Sequence, residues 1–454
     1  MATVIISMSF VPTINAVGVT LNYSGDAANN NQCVFQFRES GAAAWRTWEL
    51  LAVNRGAKQW LGSIFPLRGG TTYDFQAVIT DPEGVSGPST GTFTTRPEEL
   101  PALGPGRTLY VTPGGTGDGS SPTTPSTITR LQATLLPGDT VYCLPGDYYE
   151  RPRFTRGGTP GAWITVLPQS GGVHFFGSIP SIAQGVAWTP YGTGVYSIAQ
   201  AAQVGYVAQG NNWLYPYVSL ADLLAPKWPQ ILGGWFWDGS RLYIRTVDGT
   251  DPSGQPIHVV AGTTTRLFDV AVGVGYIRFS GLELSHSVRG IEAAPSTGLI
   301  IDACNLHNCY LGVNMVPGAV NQVLIQDCDI WDSISPDWPW AALAGPEPRP
   351  AGIDRRSTGI TFTNQAGIGN IIRRNRIHGL WDGIGYSSWS ALTNPGLSRD
   401  FDIYENEIYD CLDDPWETEG SGTNARVWGN KTRNCMTGSA PSPISIGPYY
   451  ELWN

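Results

Sequence analysis

The sequence predicts an all-β protein whose C-terminal part is a right-handed parallel β-helix. First, the 454 residues include Gly 56, Pro 34, Trp 17 and Tyr 19 but only 14% charged residues, a composition typical of turn-rich, aromatic-rich β proteins. Second, short runs of alternating apolar residues are separated by Gly and Pro turns. Third, a motif recurs every 24 residues towards the C-terminus, as in a solenoid. The length favours two or more domains or a repeat array.

Residues 1–97 predict a small β-sandwich, with alternating runs such as "CVFQFRES" and "GTFTTRP". The stretch "GSIFPLRGGTTYDFQAVITDPEGVSG" resembles fibronectin type III domains, in which a Leu-x-x-x-Thr-x-Tyr pattern enters a late strand. The matching residues here are Leu67, Thr71 and Tyr73. The resemblance covers about 95 residues and implies a spacer or docking module.

A Pro/Gly/Glu linker at 98–106 separates this domain from a β-helix domain predicted at 107–454. Its start reads as a strand, a Gly-rich turn, a short helix from about Thr127 to Leu136, and the strand "PGDTVYCLPGDYYE". This order resembles the entry of secreted β-helix proteins of the chondroitinase-B and alginate-lyase type, which implies that the helix caps the coil stack. Residues from about 184 to 256 break the pattern and predict an inserted β-rich lobe that could wall a cleft. Its Trp213, Trp235 and Trp237 are expected to fill its own small core.

The repeat predicts which side chains share a column. One slot is filled, at spacings of 24, 47, 31, 24 and 24, by Cys304, Cys328, Asn375, Asn406, Asn430 and Asn454. Successive coils lie about 4.8 Å apart, so the asparagines should form an inward amide ladder. Five residues later, a second inward column is predicted from Cys309, Ser333, Leu380, Cys411 and Cys435.

Charge and cysteine content exclude several functions. The net charge of −10 disfavours nucleic-acid binding, since phosphates need a cationic footprint. Seven cysteines without a CxxC pair make a zinc site improbable, and their odd number argues against a full disulfide framework. No apolar run predicts a membrane span. We expect an extracellular or cell-surface protein, although no leader is evident, with self-assembly or continuation of the solenoid beyond its last coil.

Two long insertions, at 336–357 and 387–400, are predicted to mark one functional face. Carboxylates gather in the same coils. Asp382 and Asp413 each lie seven residues after a ladder asparagine, and the acids Asp414, Glu417 and Glu419 follow. Such a group repels itself unless a cation or a shared proton relieves it, and calcium prefers carboxylate oxygens.

This arrangement of acids is similar to the calcium site of family 9 polysaccharide lyases. The resemblance implies Ca²⁺ ligands at Asp382, Asp413, Asp414 and Glu417. Calcium would neutralise a uronate carboxylate and acidify its C5 proton. The resemblance also calls for a Lys or Arg as base, and the candidates are Arg355, Arg356 and Lys431, with Arg399 as an alternative. Lys431 shares an outward column with Arg376 and Glu407, which is also the pattern of a surface charge ladder.

Aromatic side chains near the insertions are candidates for binding a polysaccharide, since indole rings stack on sugar faces. The predicted substrate-binding residues are Trp338, Trp340, Trp381, Trp389, Trp416 and His378. His378 also shares an outward column with His307, Trp331, Tyr409 and Arg433, which could be plain surface.

Two other functions stay open. Polygalacturonases also carry Asp on one coil and Asp-Asp on the next, but this chain lacks their Gly-His-Gly and Arg-Ile-Lys motifs, so hydrolysis by an Asp pair ranks below elimination. The acids could instead cap turn amides in a non-enzymatic adhesion protein of a surface fibre or phage particle. The sequence therefore predicts a carbohydrate-active or structural β-helix protein.

Overall fold

A computed structural model describes residues 1–316, 318–338, 356–362, 367–385, 398–418, 421–435, 445–446 and 449–453. Side chains are described for these residues except 398, 417–418, 421–423, 445–446 and 449–453. The predicted fold class is confirmed. An antiparallel β-sandwich is followed by a stack of parallel coils, and a β-rich lobe is inserted between two of its strands.

The N-terminal sandwich contains two sheets that are antiparallel throughout, except that Val85–Ser86 pairs in parallel with the start of Thr3–Pro12. The first runs in the order Leu51–Asn54, Gln59–Ile64, Val17–Ser24, Thr3–Pro12 and Val85–Ser86; the second runs Arg46–Trp48, Gln32–Glu39, Thr72–Thr80 and Thr90–Thr94. Inward residues of both sheets, including Val19, Phe35 and Phe75, form one apolar cluster. The alternating pattern of the strands is thus explained by one buried face on each sheet.

The coils of the β-helix have three faces, which we name A, B and C in the order in which the chain passes them. Face A is built from Thr108–Val111, Thr140–Cys143, Ile164–Pro168, Ile277–Ser280, Ser296–Asp302, Val320–Gln326, Gly367–Ile368, Ile371–Arg373, Ser398–Tyr404, Ser421–Trp428 and Tyr449–Trp453. Face B is built from Gly146–Tyr148, Val173–Phe176, the first parts of Glu283–Ala293 and Asn305–Met315, then Asp329–Trp331, Arg376–His378, Glu407–Tyr409 and Lys431–Arg433. Face C is built from Arg153–Phe154, Arg266–Val270, the last parts of the same two long strands, then Thr358–Phe362, Asp382–Gly385, Trp416–Thr418 and Ser445–Ile446.

Left-handed backbone conformations make the corners between faces. The two long strands bend from face B to face C at His286 and Asn308, whose φ angles are 53° and 50°. At the corner between faces A and B, Asp327 and Glu405 have φ angles of 53° and 54°. One residue in this conformation turns the chain sharply without interrupting the stack.

The amide ladder is confirmed at this A/B corner. Asn406 Oδ1 accepts the backbone N–H of Asn375 at 3.0 Å and its side-chain amide at 2.9 Å. Asn430 gives Asn406 the same pair of acceptor bonds. The backbone N–H of Cys328 donates to Asn375 Oδ1, so the cysteine slot continues the ladder. Asn454 lies outside the described residues.

The interior of the solenoid is one continuous apolar core. It is closed at the N-terminal end by a helix at Ile128–Leu131 and a 3₁₀ turn at Gln132–Thr134, with Ile128 and Leu131 in the core. Thr127 begins the helix by accepting the N–H of Arg130. All seven cysteines are free; six are buried and Cys435 is half-buried.

The second predicted column is confirmed only in part. Leu380 and Cys411 lie in the core and Cys435 packs against it. Ser333 instead faces the lobe, and its hydroxyl donates to the carbonyl of Asn211. The departure has a cause in the sequence, because the insertion at 336–357 begins just after Ser333 and pulls the chain out of register.

The lobe leaves the solenoid at the corner between faces B and C. Its sheets contain Thr189–Gly192, Val195–Ala199, Arg241–Arg245 and Gly234–Trp237, and Asn212–Trp213, Val204–Gln209 and Ile257–Ala261. Short helices span Pro180–Ala183 and Leu220–Leu224. Trp213 and Trp235 are buried in the lobe's apolar cluster and Trp237 packs against it, as expected.

The sandwich lies flat on face A instead of extending from the solenoid as a free spacer. Ile14 packs among Ile300, Leu324 and Ile371. Arg373 of face A, 1% exposed, donates to Glu98 Oε1 of the linker at 2.7 Å. Face A is therefore covered in its later coils.

The two long insertions begin and end at different corners of the coil, and both border face C. Residues 336–357 separate Asp329–Trp331 of face B from Thr358–Phe362 of face C, which places their ends at the same corner as the lobe. Residues 387–400 follow Asp382–Gly385 of face C and lead into Ser398–Tyr404 of face A. The ends of the insertions therefore flank face C on both sides.

Candidate functional site

Face C, which we call the groove face, has the lobe and one insertion at one border and the second insertion at the other. Its first outward column is in register across five coils and contains Arg266, Arg289, Leu311, Thr358 and Asp382. The neighbouring column contains Arg153, Asp269, Glu292, Asn314, Thr361 and Gly385, and the backbone of Glu417 continues its register. Charged side chains are therefore aligned along the helix axis on this face.

Glycines let successive coils approach closely beside these columns. At the start of the groove face, Gly290, Gly312, Gly359 and Gly383 occupy equivalent positions. A Cβ on Gly312 would lie 2.6 Å from the carbonyl oxygen of Gly359 and 2.9 Å from a methyl group of Ile330. The backbone contact explains the repeated glycine.

The early coils of the groove face carry arginines around a buried carboxylate. Glu292 is 3% exposed, accepts hydrogen bonds from Arg266 and from Asn314 at 2.6 Å, and forms an ion pair with Arg289 at 2.6 Å. The side chains of Arg266 and Arg289 remain 42% and 24% exposed. Two guanidinium groups share one carboxylate, so this end of the groove carries a net positive charge available to an anionic ligand.

The later coils of the groove face carry the predicted acids at its border with face B. The backbone N–H of Asp413 donates to the carbonyl of Trp381, which places Asp413 beside Asp382 as the register predicts. The N–H of Asp414 lies 3.3 Å from Asp382 Oδ1. Because Ile384 pairs with Trp416, one extra residue is accommodated between the two coils, and the backbones of Asp413 and Asp414 both lie next to the turn that carries Asp382.

Calcium binding at Asp382, Asp413, Asp414 and Glu417 stays a prediction. The side chain of Glu417 lies outside the described residues, although its backbone pairs with Gly385 directly above the acids. Within the described part of the chain, no three His, Cys, Asp or Glu side chains are grouped closely enough to hold a metal ion. Asp382 accepts a backbone amide, a bond that the turn itself uses.

The predicted bases are separated by the structure. The backbone carbonyl of Ser357 accepts the N–H groups of Trp381 and Asp382, so Ser357 lies one coil before Asp382. Arg356 comes just before Ser357, at the start of the strand Thr358–Phe362 on that coil. Lys431 lies on face B in register with Glu407 and Arg376, and these three charged residues form a ladder outside the groove face. This position contradicts a role for Lys431 as base. Arg355 lies outside the described residues, and Arg399 is half-buried on face A.

The predicted tryptophan platforms are largely unavailable to a sugar. Trp338 is 8% exposed and packs edge-on against Tyr215 in the lobe cluster. Trp416 is 6% exposed and belongs to the solenoid core. These burials contradict their assignment as stacking surfaces. Trp381 is half-buried at the acid corner, whereas Trp340 and Trp389 lie outside the described residues.

His378 belongs to a stack of rings on face B whose flat sides cover one another. His307, Trp331, His378 and Tyr409 are stacked with successive interplanar angles of 4°, 7° and 3°. The guanidinium of Arg433 covers Tyr409 at 3.8 Å. Ring edges, not faces, therefore point to solvent, so the predicted role of His378 in sugar stacking is wrong.

A buried carboxylate that the sequence analysis missed holds the lobe against the solenoid. Asp332, 5% exposed, accepts the indole N–H of Trp213 and the backbone N–H of Ser333. Burial raises the pKa of Asp332 to about 6. Beside it, Asn308 donates to the carbonyl of Asn211 at 2.7 Å. These bonds fix the wall of the groove.

The arginines of the groove face were also missed. Arg266, Arg289 and Glu292 lie before the stretch in which the repeat is easy to align, because the lobe interrupts the early coils. The signal available in the sequence was the spacing of 23 residues between Arg266 and Arg289, which is close to the length of one coil. This spacing is one residue shorter than the 24-residue repeat, and the repeat is easiest to recognise downstream of Arg266 and Arg289.

Comparisons with known proteins give only weak structural likenesses. No protein-family model matches the chain, and no match was found among curated proteins. A structure described as a complex of XylC with xylose shares 13% identity, with a TM-score of 0.47, over 72% of this chain and 70% of that one. The pectate lyase Pel9A shares 12% identity (TM-score 0.37; 78% of each chain) and an alginate lyase from Paenibacillus 12% (TM-score 0.32; 76% and 99%). Similarity this low says nothing about activity.

Proposed function

We propose that this protein is extracellular and binds an acidic polysaccharide along the groove face. One observation carries the proposal: a single outward column presents Arg266 and Arg289 at one end and Asp382 at the other. Arg289 and Asp382 are three coils apart, about 14 Å at the usual strand spacing. The arginines can form ion pairs with the carboxylate groups of the polymer. The acids repel those carboxylate groups unless a cation lies between them.

Cleavage by β-elimination at the acid corner is the more specific form of the proposal. Calcium held by Asp382, Asp413, Asp414 and Glu417 would neutralise a uronate carboxylate and acidify the C5 proton. Arg356, on the coil below, is the described candidate for accepting that proton. The chain ends of the product would carry a C4–C5 double bond.

A non-enzymatic surface protein is the second candidate, and one contact favours it. Asp382 Oδ1 accepts the N–H of Asp414, as a carboxylate does when it caps a turn. An adhesion protein would use the same groove for binding without chemistry.

No helix in the described residues is long and apolar enough to cross a membrane.

The test compares Asp382→Asn with the wild-type protein on polygalacturonate and alginate in the presence of calcium. Asparagine retains an oxygen that can accept the amide of Asp414, so the turn is kept while the charge is lost. We expect the ultraviolet absorbance of unsaturated ends to appear with the wild type and to fall at least 100-fold with the variant. Asp329→Asn, on face B, is the matched control and should retain activity.

The binding part of the proposal is measured separately by affinity electrophoresis in gels containing the same polymers. Arg289→Gln should weaken retardation about tenfold, since one charge-assisted bond is worth roughly 1.5–3 kcal/mol. Retardation without unsaturated product would support the adhesion function. Absence of both retardation and product for all uronic-acid polymers would reject the proposal.

A further inference from the structure

A cavity of about 250 Å³ lies at the A/B corner of the early coils, on the side of the solenoid away from the groove face. Three successive coils line it with Pro168 and residues 170–174, with residues 281–283, and with Ala303 and Asn305. Pockets for drug-sized ligands usually measure roughly 300–1,000 Å³. This space is below that range and suits one small molecule.

The polar wall of the cavity is a chain of carboxylates and imidazoles. His174 Nδ1 lies 3.3 Å from Asp147 Oδ1, and its Nε2 lies 3.4 Å from Glu283 Oε2. The other oxygen of Glu283 lies 3.1 Å from His307 Nε2. Asn305 completes the wall and accepts the indole N–H of Trp331 at 3.0 Å.

The orientation of this chain fixes a negative charge at the cavity. His307 Nδ1 faces Asn308 Oδ1, because the amide nitrogen of Asn308 is used to donate to Asn211. Both ring nitrogens of His307 therefore face oxygen atoms, Asn308 Oδ1 and Glu283 Oε1. The hydrogen bond with His307 lowers the pKa of Glu283 despite the partial burial of this carboxylate.

The rest of the lining is apolar or small. Pro168, Val173 and Leu282 provide carbon surface, and Ser170, Gly171 and Gly172 form the rim. The residues that line the cavity include no Lys or Arg. An anionic ligand would face Glu283 and the nearby Asp147 without a compensating guanidinium or ammonium group.

We propose that this cavity binds one uncharged sugar unit, as a site separate from the groove face. The carboxylate of Glu283 and the imidazole of His174 offer acceptors and donors to adjacent hydroxyl groups, while the carbon surface contacts the ring. A uronate is disfavoured by the charge of Glu283. The assignment does not depend on the groove face, because the two sites lie on different sides of the solenoid.

The test uses the full chain and two sugars that differ only in one carboxylate, glucose and glucuronate, with xylose, galactose and mannose as further uncharged probes. Binding is measured by calorimetry and by ligand-observed NMR. We expect at least one uncharged sugar to bind and glucuronate to bind at least tenfold more weakly than glucose. Ser170→Trp, which places an indole on the exposed rim, should abolish sugar binding.

Gln169→Trp is the matched control, because Gln169 is also exposed but does not line the cavity. It should bind like the wild type, and both variants should keep the wild-type melting temperature. In Glu283→Gln, the difference between glucose and glucuronate should shrink. The proposal is overturned if no uncharged sugar binds, if Ser170→Trp binds as well as the wild type, or if glucuronate binds as tightly as glucose.

Discussion

Replacing Asp332 by asparagine should remove a pH-dependent cost of docking the lobe. In the wild type, the Asp332 carboxyl is buried between face B and the lobe, where it accepts bonds from Trp213 and Ser333. Its pKa rises from the ordinary value of 3.8 to about 6 because burial disfavours the charged form. The folded protein must therefore carry an ionised buried carboxylate at neutral pH.

The sign follows from proton linkage. Between about pH 4 and about pH 6 the folded state binds one more proton at Asp332 than the unfolded state, so the free energy of unfolding decreases as the pH rises. A shift of about two pH units corresponds to about 3 kcal/mol. The Asp332→Asn side chain keeps an oxygen acceptor for Trp213 but does not titrate. Its free energy of unfolding should lack this decrease.

Urea unfolding followed by tryptophan fluorescence at about pH 4.5 and about pH 7.5 measures the difference. Relative to Asp332→Asn, the wild type should lose most of the 3 kcal/mol between these conditions. The buried His258 and His286, whose pKa values burial lowers, contribute equally to the pH dependence of both proteins. Asp329→Asn is a suitable control. Partial burial alone would raise the pKa of Asp329, but hydrogen bonds from His378 and Arg376 outweigh it and lower this pKa. The contribution of Asp329 to the free energy of unfolding therefore changes only at lower pH. An unchanged slope in Asp332→Asn would refute the reasoning.

Three further substitutions test the scaffold by chemical denaturation. Asn406→Ala breaks the amide ladder and leaves buried groups without partners, which should cost roughly 3 kcal/mol; a loss below about 1 kcal/mol would contradict the ladder's role. Gly312→Ala should prevent close stacking and destabilise by more than about 3 kcal/mol, whereas Gly161→Ala, where a Cβ meets open space, should be nearly neutral. Asp402→Asn removes the partner of the fully buried Arg426 and should cost about 3–5 kcal/mol; equal stability would show that the pair is not needed.

Periodic features were predictable from the sequence because each coil repeats the same physical requirement. Asn375, Asn406 and Asn430 satisfy equivalent backbone groups, so their spacing gave the register directly. The same register placed Asp382 beside Asp413 before any coordinates were known. A solenoid with constant spacing converts sequence distance into spatial distance.

Corners and packing surfaces were not predictable in the same way. Which corner an insertion leaves from depends on the exact residue at which each strand ends, and the sequence pattern does not specify it. The ring stack around His378 shows a second limit, since alternation predicts that a ring points outward but not that its faces are covered. His174 and Glu283 are separated in sequence by the lobe, so no local motif links them.

Hydrogen–deuterium exchange with bound polysaccharide tests the central claim, namely that an acidic polymer lies along the groove face. Addition of polygalacturonate or alginate with calcium should slow exchange in the groove-face segments 289–293, 311–315, 358–362 and 382–385. Segments 407–409 and 431–433 of face B should exchange as before. Protection confined to face B or to the sandwich, or no protection with any acidic polymer, would contradict the account.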